Sequence, residues 1–133
     1  MNSREREQEA QKWLDKARSD LRVARMAFEN AEPEYDLACY LSQQCAEKSV
    51  KALLIRLGIR FPYKHDLDYL IRLLPPDKQI LFADIELAWL TDWVTTGRYP
   101  GDVVAATADD ARRAVCKSFL ACACRLSDRS SRA

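Results

Sequence analysis

The N-terminal part of the chain carries one narrow apolar stripe. Apolar side chains recur there at alternating spacings of four and three residues, at Ala10, Leu14, Ala17, Leu21, Ala24, Phe28 and Ala31. Because this spacing puts them on one face, it predicts a long helix from Arg4 to Ala31. Pro33 then ends the pattern, since proline lacks the amide hydrogen that a helix interior needs.

Two further helices follow from apolar spacing and from the residues at their ends. The first is predicted from Tyr35 to Leu57 and ends at Gly58, a residue suited to the left-handed C-terminal cap. Asp66 is placed to cap a short helix from Leu67 to Leu74.

The C-terminal half predicts two more long helices. A broad apolar face with Phe82, Ile85, Trp89 and Trp93 predicts a helix over 78–94 that Asp77 caps. The segment 107–110 resembles a capping box and begins the last helix. We expect the inner stripe of that helix to be Ala108, Ala111, Val115, Phe119, Cys122 and Leu126.

No segment shows the alternation of apolar and polar residues that is typical of a strand. The sequence therefore predicts an all-α fold, an up-down four-helix bundle with an additional short helix. We expect residues 1–133 to form one domain, with 127–133 as a flexible tail.

Composition narrows the class of protein. The formal net charge of +1 argues against a non-specific nucleic-acid clamp but leaves room for a local basic groove. The five cysteines are odd in number and form no Cys-x-x-Cys pair, and there is one histidine, so we expect reduced cysteines, no metal and no cofactor. No apolar run has the length of a membrane span and the charged N-terminus fits no signal peptide, so we expect a cytoplasmic protein without membrane contact.

The second predicted helix carries an unusual set of polar residues. Gln44, Lys48 and Lys51 are spaced four and three and share a face, and Glu47 precedes Lys51 by four residues, which favours an ion pair. One interpretation is a solvated helix face with an intrahelical bridge. The other is a polar stripe facing His65 across a cleft, where lysines neutralise phosphate.

The second interpretation adds two residues from the loop before the last helix. Arg98 is able to hold a phosphate with two parallel hydrogen bonds, and Tyr99 is able to stack on a base. His65 either bonds a backbone group or acts as a general base toward an RNA 2′-hydroxyl, with Arg60 or Arg98 stabilising the phosphate. One histidine per subunit then requires two subunits to supply both acid and base.

The run from Cys39 to Leu53 resembles the signature helix of HEPN domains. Three further pieces fit the same pattern in the same order, namely 58–62, 65–67 and 96–100. The resemblance implies a helical bundle that forms homodimers and is commonly encoded beside a minimal nucleotidyltransferase, as one half of a toxin–antitoxin system. Our leading hypothesis is a nucleotide- or RNA-binding partner protein that uses Gln44, Lys48, Lys51, His65, Arg98 and Tyr99.

Two alternatives stay open. Many HEPN proteins are metal-independent ribonucleases whose motif is an arginine followed four to six residues later by a histidine. Arg60 and His65 have that spacing, whereas no histidine follows Arg98, so an endoribonuclease toxin would use Arg60 and His65. The other alternative is a purely structural helical interaction module.

Overall fold

The computed structural model describes residues 1–83, 85–94 and 105–130, with side chains at all of these except 87, 94 and 124–130. Six α-helices occupy these ranges: α1 (Ser3–Glu29), α2 (Tyr35–Arg56), α3 (Leu67–Arg72), α4 (Pro76–Gln79), α5 (Leu87–Thr91) and α6 (Ala108–Ser130). Short 3-10 turns follow α4 and α5, at Ile80–Phe82 and Asp92–Val94. The described ranges contain no strand, which confirms the all-α helical bundle.

Helix α1 begins at a capping box and ends before Ala31. The Asn2 side chain accepts a hydrogen bond from the Glu5 amide, and the Glu5 carboxylate accepts one from the Asn2 amide. The buried stripe is Ala10, Leu14, Ala17, Leu21, Ala24 and Ala27. The prediction was wrong at its end, because the helix stops at Glu29 and leaves Phe28 half-buried and Ala31 exposed.

Helix α2 is the centre of the bundle. It packs along α1 on one side and along α6 on another, so most of its residues from Ala38 onward are buried. Its last helical residue is Arg56, and Gly58 follows the cap with a φ of 74°, in the left-handed region that favours glycine, as predicted. This central position is what allows polar side chains of α2 to reach the protein interior.

The single long helix predicted over 78–94 is wrong. The chain forms α4, α5 and two 3-10 turns there, and Glu86 before α5 has φ −13° and ψ 66°, outside the helical region. Apolar side chains occupy too wide an arc for one straight helix to bury. The break allows Phe82, Ile85, Leu90 and Trp93 all to enter the core.

Of the two aspartate caps predicted before this segment, one is confirmed and the other is wrong. Asp66 caps α3 as predicted, since its side chain accepts from the Tyr69 amide at 3.2 Å. Asp77 is not a cap, because Pro75 occupies the cap position of α4 and Pro76 the first helical position, where the fixed φ of proline is favoured.

Helix α6 begins at the predicted capping box but turns a different face inward. The Thr107 hydroxyl accepts from the Asp110 amide at 3.1 Å, and the Asp110 carboxylate accepts from the Thr107 amide at 3.0 Å. The buried residues are Ala111, Ala114, Ser118, Ala121 and Cys122. Phe119 is 48% exposed, so its predicted place in the inner stripe is wrong. Small side chains face α2 because they let the two helices approach closely.

Two further expectations concern the C-terminal tail and membrane-spanning helices. Helix α6 continues to Ser130, and residues 131–133 lie outside the described ranges, so the flexible tail over 127–133 stays a prediction. None of the described helices is long and apolar enough to cross a membrane.

Candidate functional site

Glu47 of α2 holds together a buried polar cluster that we call the Glu47 network, formed by Gln43, Glu47, Lys51 and His65. Glu47 Oε1 accepts from Gln43 Nε2 at 3.1 Å and from His65 Nδ1 at 2.7 Å. Glu47 Oε2 accepts from Lys51 Nζ at 2.9 Å. The predicted ion pair between Glu47 and Lys51 is therefore confirmed, but both residues are buried rather than solvated.

His65 is positioned by α2 from two sides. Its Nδ1 donates to the Glu47 carboxylate, and its backbone carbonyl accepts from Gln43 Nε2 at 3.3 Å. The Tyr63 ring lies edge-on to the imidazole, with 5.4 Å between ring centroids. Because Nδ1 carries the donated hydrogen, the lone pair of the neutral ring is on Nε2. The His65 side chain is 36% exposed.

Lys51 is enclosed by aromatic rings from two other parts of the chain. Its ammonium lies 5.7 Å from the ring centroids of Trp13 and Phe61 and 5.3 Å from that of Tyr63. The residue is only 2% exposed, and a buried ammonium is stable only with a close counter-charge and polarisable neighbours. Lys51 is thus a structural partner of Glu47.

Lys48 and Gln44 have different surroundings although they are neighbours of Lys51 on α2. Lys48 Nζ lies 2.5 Å from Asp20 Oδ2 of α1. Gln44 is half-buried and its Nε2 donates to Gln43 Oε1 at 2.6 Å, which links it to the Glu47 network. Lys48 also lines a cleft of about 290 Å³ between α1 and α2, whose lining residues are Glu9, Lys12, Trp13, Lys16 and Lys48. We call it the Trp13 cleft.

The structure does not join the other predicted residues to this cluster. Arg60 is exposed and lines a separate cleft with Arg6 and Gly58, and no contact between Arg60 and His65 is seen among the described residues. Arg98 and Tyr99 lie outside the described residues.

Sequence reasoning missed the aromatic rings around Lys51 and the acidic partner of Lys48. Trp13 sits beside the apolar stripe of α1, and Phe61 and Tyr63 shortly precede His65. Aromatic residues beside a lysine-bearing helix were the available signal. Nothing in the sequence indicated Asp20, because its pairing with Lys48 depends on how α1 packs against α2.

The described cysteines are free thiols, of which Cys39, Cys45 and Cys122 are buried. Burial raises the pKa of Cys39 to about 12, and the nearby carboxylates of Asp110 and Asp36 add to the effect. The Cys45 thiol donates to the Ser118 carbonyl at 3.8 Å, across the contact between α2 and α6, and Cys122 of α6 is its neighbour there. Within the described residues no group of histidine, cysteine and acidic side chains is arranged to hold a metal ion.

Comparisons with known proteins agree on one family. The family model for the HEPN domain matches residues 10–123. The crystal structure of ST0689, an archaeal HEPN homologue, is 31% identical, covers 90% of this chain and 96% of its own, and superposes with a TM-score of 0.69. The crystal structure of TT1696 from Thermus thermophilus has the same fold at 24% identity, with coverage of 89% and 96% and a TM-score of 0.71.

No curated protein matches the sequence significantly. The family model nevertheless spans most of the chain, from α1 through most of α6, and it includes the Glu47 network. The chain therefore belongs to the HEPN domain family.

Proposed function

We propose that this HEPN protein binds a nucleotide or RNA and acts as the partner of a minimal nucleotidyltransferase in a two-component, toxin–antitoxin-like system. The observation that carries the binding proposal is the oriented His65. Its Nδ1 is committed to a buried carboxylate, while more than a third of the side chain stays exposed and leaves Nε2 for a ligand. Nε2 of an imidazole held in this way accepts a hydrogen bond from a base N–H or a ribose hydroxyl when the ring is neutral, and donates one to a phosphate oxygen when the ring is protonated.

The other residues that we predict to take part have unequal support. Lys48 faces a cleft and is able to contact a ligand, whereas Lys51 and Gln44 act through Glu47 and Gln43. Arg98 and Tyr99 stay predictions. The nucleotidyltransferase part rests on family membership, because HEPN proteins are commonly encoded beside such an enzyme.

The binding proposal is tested with a fluorescein-labelled single-stranded RNA in excess EDTA, using anisotropy for binding and gels for cleavage. The informative variant is His65→Asn, since the asparagine amide keeps a donor for Glu47 but removes Nε2. We expect binding by the unaltered protein and a loss of roughly fivefold or more in the variant, the range of one charged or polar contact. Arg72→Gln, at an exposed i,i+4 pair with Asp68, is the matched control and should bind normally.

Three results would redirect the proposal. Absence of binding by the unaltered protein contradicts it and favours a structural interaction module. Cleavage that His65→Asn abolishes, and that Arg60→Gln also abolishes, identifies the metal-independent endoribonuclease instead. Failure to co-purify with a co-expressed minimal nucleotidyltransferase from the same operon contradicts the partner assignment alone.

A further inference from the structure

The Trp13 cleft combines an aromatic wall with clustered ammonium groups. We propose that it binds one nucleotide unit, with the base against the Trp13 ring and the phosphate held by Lys12 and Lys16. This inference rests on the proposed function and adds to it three residues of α1, Lys12, Trp13 and Lys16, which lie beside the predicted Lys48.

Trp13 is suited to be the base-binding wall because its ring is held in place. The residue is half-buried and packs against the buried cluster around Leu14. Its ring centroid lies 5.7 Å from the Lys51 ammonium. A ring fixed in the free protein loses little conformational freedom when a base stacks on it. Stacking of bases on aromatic side chains is also tolerant of sequence, as expected for a nucleotide site.

The charge around the cleft is locally positive although the chain is nearly neutral. Lys12, Lys16 and Lys48 line it, against the single carboxylate of Glu9. Lys48 is engaged by Asp20, and Glu9 meets Lys12 at 3.6 Å in an exposed, weak pair. Lys16 is exposed and has no acidic partner within the described part of the chain. Lys16 and Lys12 therefore keep an excess of positive charge for a phosphate.

The size of the cleft limits the ligand. Its volume of about 290 Å³ is just below the usual range for small-molecule sites, which begins at roughly 300 Å³. A volume of this size limits the site to about one nucleotide unit, so the neighbouring nucleotides of a strand would remain outside the cleft. The same chemistry serves a free mononucleotide or one residue of a single strand.

The test is calorimetric titration with AMP, adenosine and inorganic phosphate, and anisotropy with the single-stranded RNA. The variants are Trp13→Leu, Trp13→Phe and the double variant Lys12→Gln/Lys16→Gln. Arg4→Gln/Arg22→Gln is the control, because it removes the same charge from α1 outside the cleft. Thermal melts verify that each variant folds.

We expect Trp13→Leu and the double lysine variant each to weaken binding by roughly tenfold or more, with Trp13→Phe and the control close to the unaltered protein. If the unaltered protein binds AMP and RNA and the variants weaken both, the cleft is a mononucleotide site. If the unaltered protein binds RNA but not AMP and the variants weaken RNA binding, the cleft holds one residue of a strand. Equal affinity for adenosine and AMP overturns the phosphate assignment. Binding retained by both variants overturns the cleft but not the proposed function, and no binding by the unaltered protein contradicts both.

Discussion

At the scale of single residues, Glu47 determines most of the candidate site. Both of its carboxylate oxygens accept hydrogen bonds, from Gln43, Lys51 and His65, while the residue itself is 3% exposed. Placing a carboxylate and an ammonium in the interior has a desolvation cost, which the pair recovers only when all of its hydrogen bonds are made. Glu47 and Lys51 are therefore expected to depend strongly on each other.

We predict that Glu47→Gln and Lys51→Met each lower the free energy of unfolding by about 3 kcal/mol, because each leaves one buried charge without its partner. The double variant Glu47→Gln/Lys51→Met should lose clearly less than the sum of the two. Urea denaturation of the four proteins measures the coupling.

Arg72→Gln is the control for this cycle. It breaks a pair with Asp68 whose side chains are 65% and 56% exposed, and such pairs contribute at most about 0.5 kcal/mol. A loss of less than about 1 kcal/mol in both single variants of the Glu47 pair would show that water reaches these charges.

At the scale of elements, the contact between α2 and α6 joins two thiols. The neighbouring Cys45 thiol lowers the pKa of Cys122, and the Arg18 guanidinium of α1 lowers it further, although burial opposes both effects. The proximity of Cys122 and burial raise the pKa of Cys45. A thiolate at Cys122 beside a neutral Cys45, whose thiol donates to the Ser118 carbonyl at 3.8 Å, is the ionised form that this contact favours.

We predict that the folded protein gains stability as the pH rises from about 6 to about 8. An unfolded thiol ionises near pH 8.5, so below that value the unfolded chain binds the proton that folded Cys122 has released, and the free energy of unfolding rises with pH. The gain disappears as the pH falls through the lowered pKa of Cys122. Thermal melts across this range, with thiolate absorbance at 240 nm, measure both quantities.

Cys122→Ser should lose the slope and the early thiolate absorbance. Cys116→Ser, which removes an exposed cysteine of the same helix, should keep both. Equal slopes in these two variants would contradict an ionised thiol at the contact between α2 and α6.

At the scale of the whole molecule, the homodimer implied by the family resemblance needs an exposed apolar surface. Four apolar side chains of 78–94 are buried within the chain, namely Phe82, Ile85, Leu90 and Trp93, whereas Ile80 is exposed. Large apolar side chains remain exposed instead on α1, α2 and α6, namely Val23, Met26, Leu37, Phe119 and Leu120. The homodimer stays a prediction, and we assign it to Val23, Met26 and Leu37, which line one cleft of α1 and the start of α2.

We predict a molecular mass of about twice 15.3 kDa by light scattering at tens of micromolar protein. Met26→Glu/Leu37→Glu should shift the mass toward the monomer, because it puts two carboxylates on that surface. Ile80→Glu is the control, since Ile80 is 73% exposed and belongs to a different segment. A monomeric unaltered protein, or a dimer that the double variant does not weaken, would contradict this surface.

The extents of most helices and the cap positions of several could be predicted from the sequence. Asp66, Gly58 and the pair Thr107 and Asp110 act as predicted, because a cap depends on residues within one turn of it. The ion pair of Glu47 and Lys51 is likewise local, since side chains four apart on a helix are neighbours whatever surrounds them.

Tertiary packing decided what is buried and which polar groups meet. Phe119 faces outward because α6 presents its small residues to α2, and the helix predicted over 78–94 breaks so that more apolar side chains enter the core. Lys51 is enclosed, and Lys48 meets Asp20, only because α1 and the loop before α3 pack against α2. The sequence by itself determined the local features, helices and caps. The structure decided the Glu47 network and the Trp13 cleft, because burial and charge pairing are set by neighbours distant in the chain.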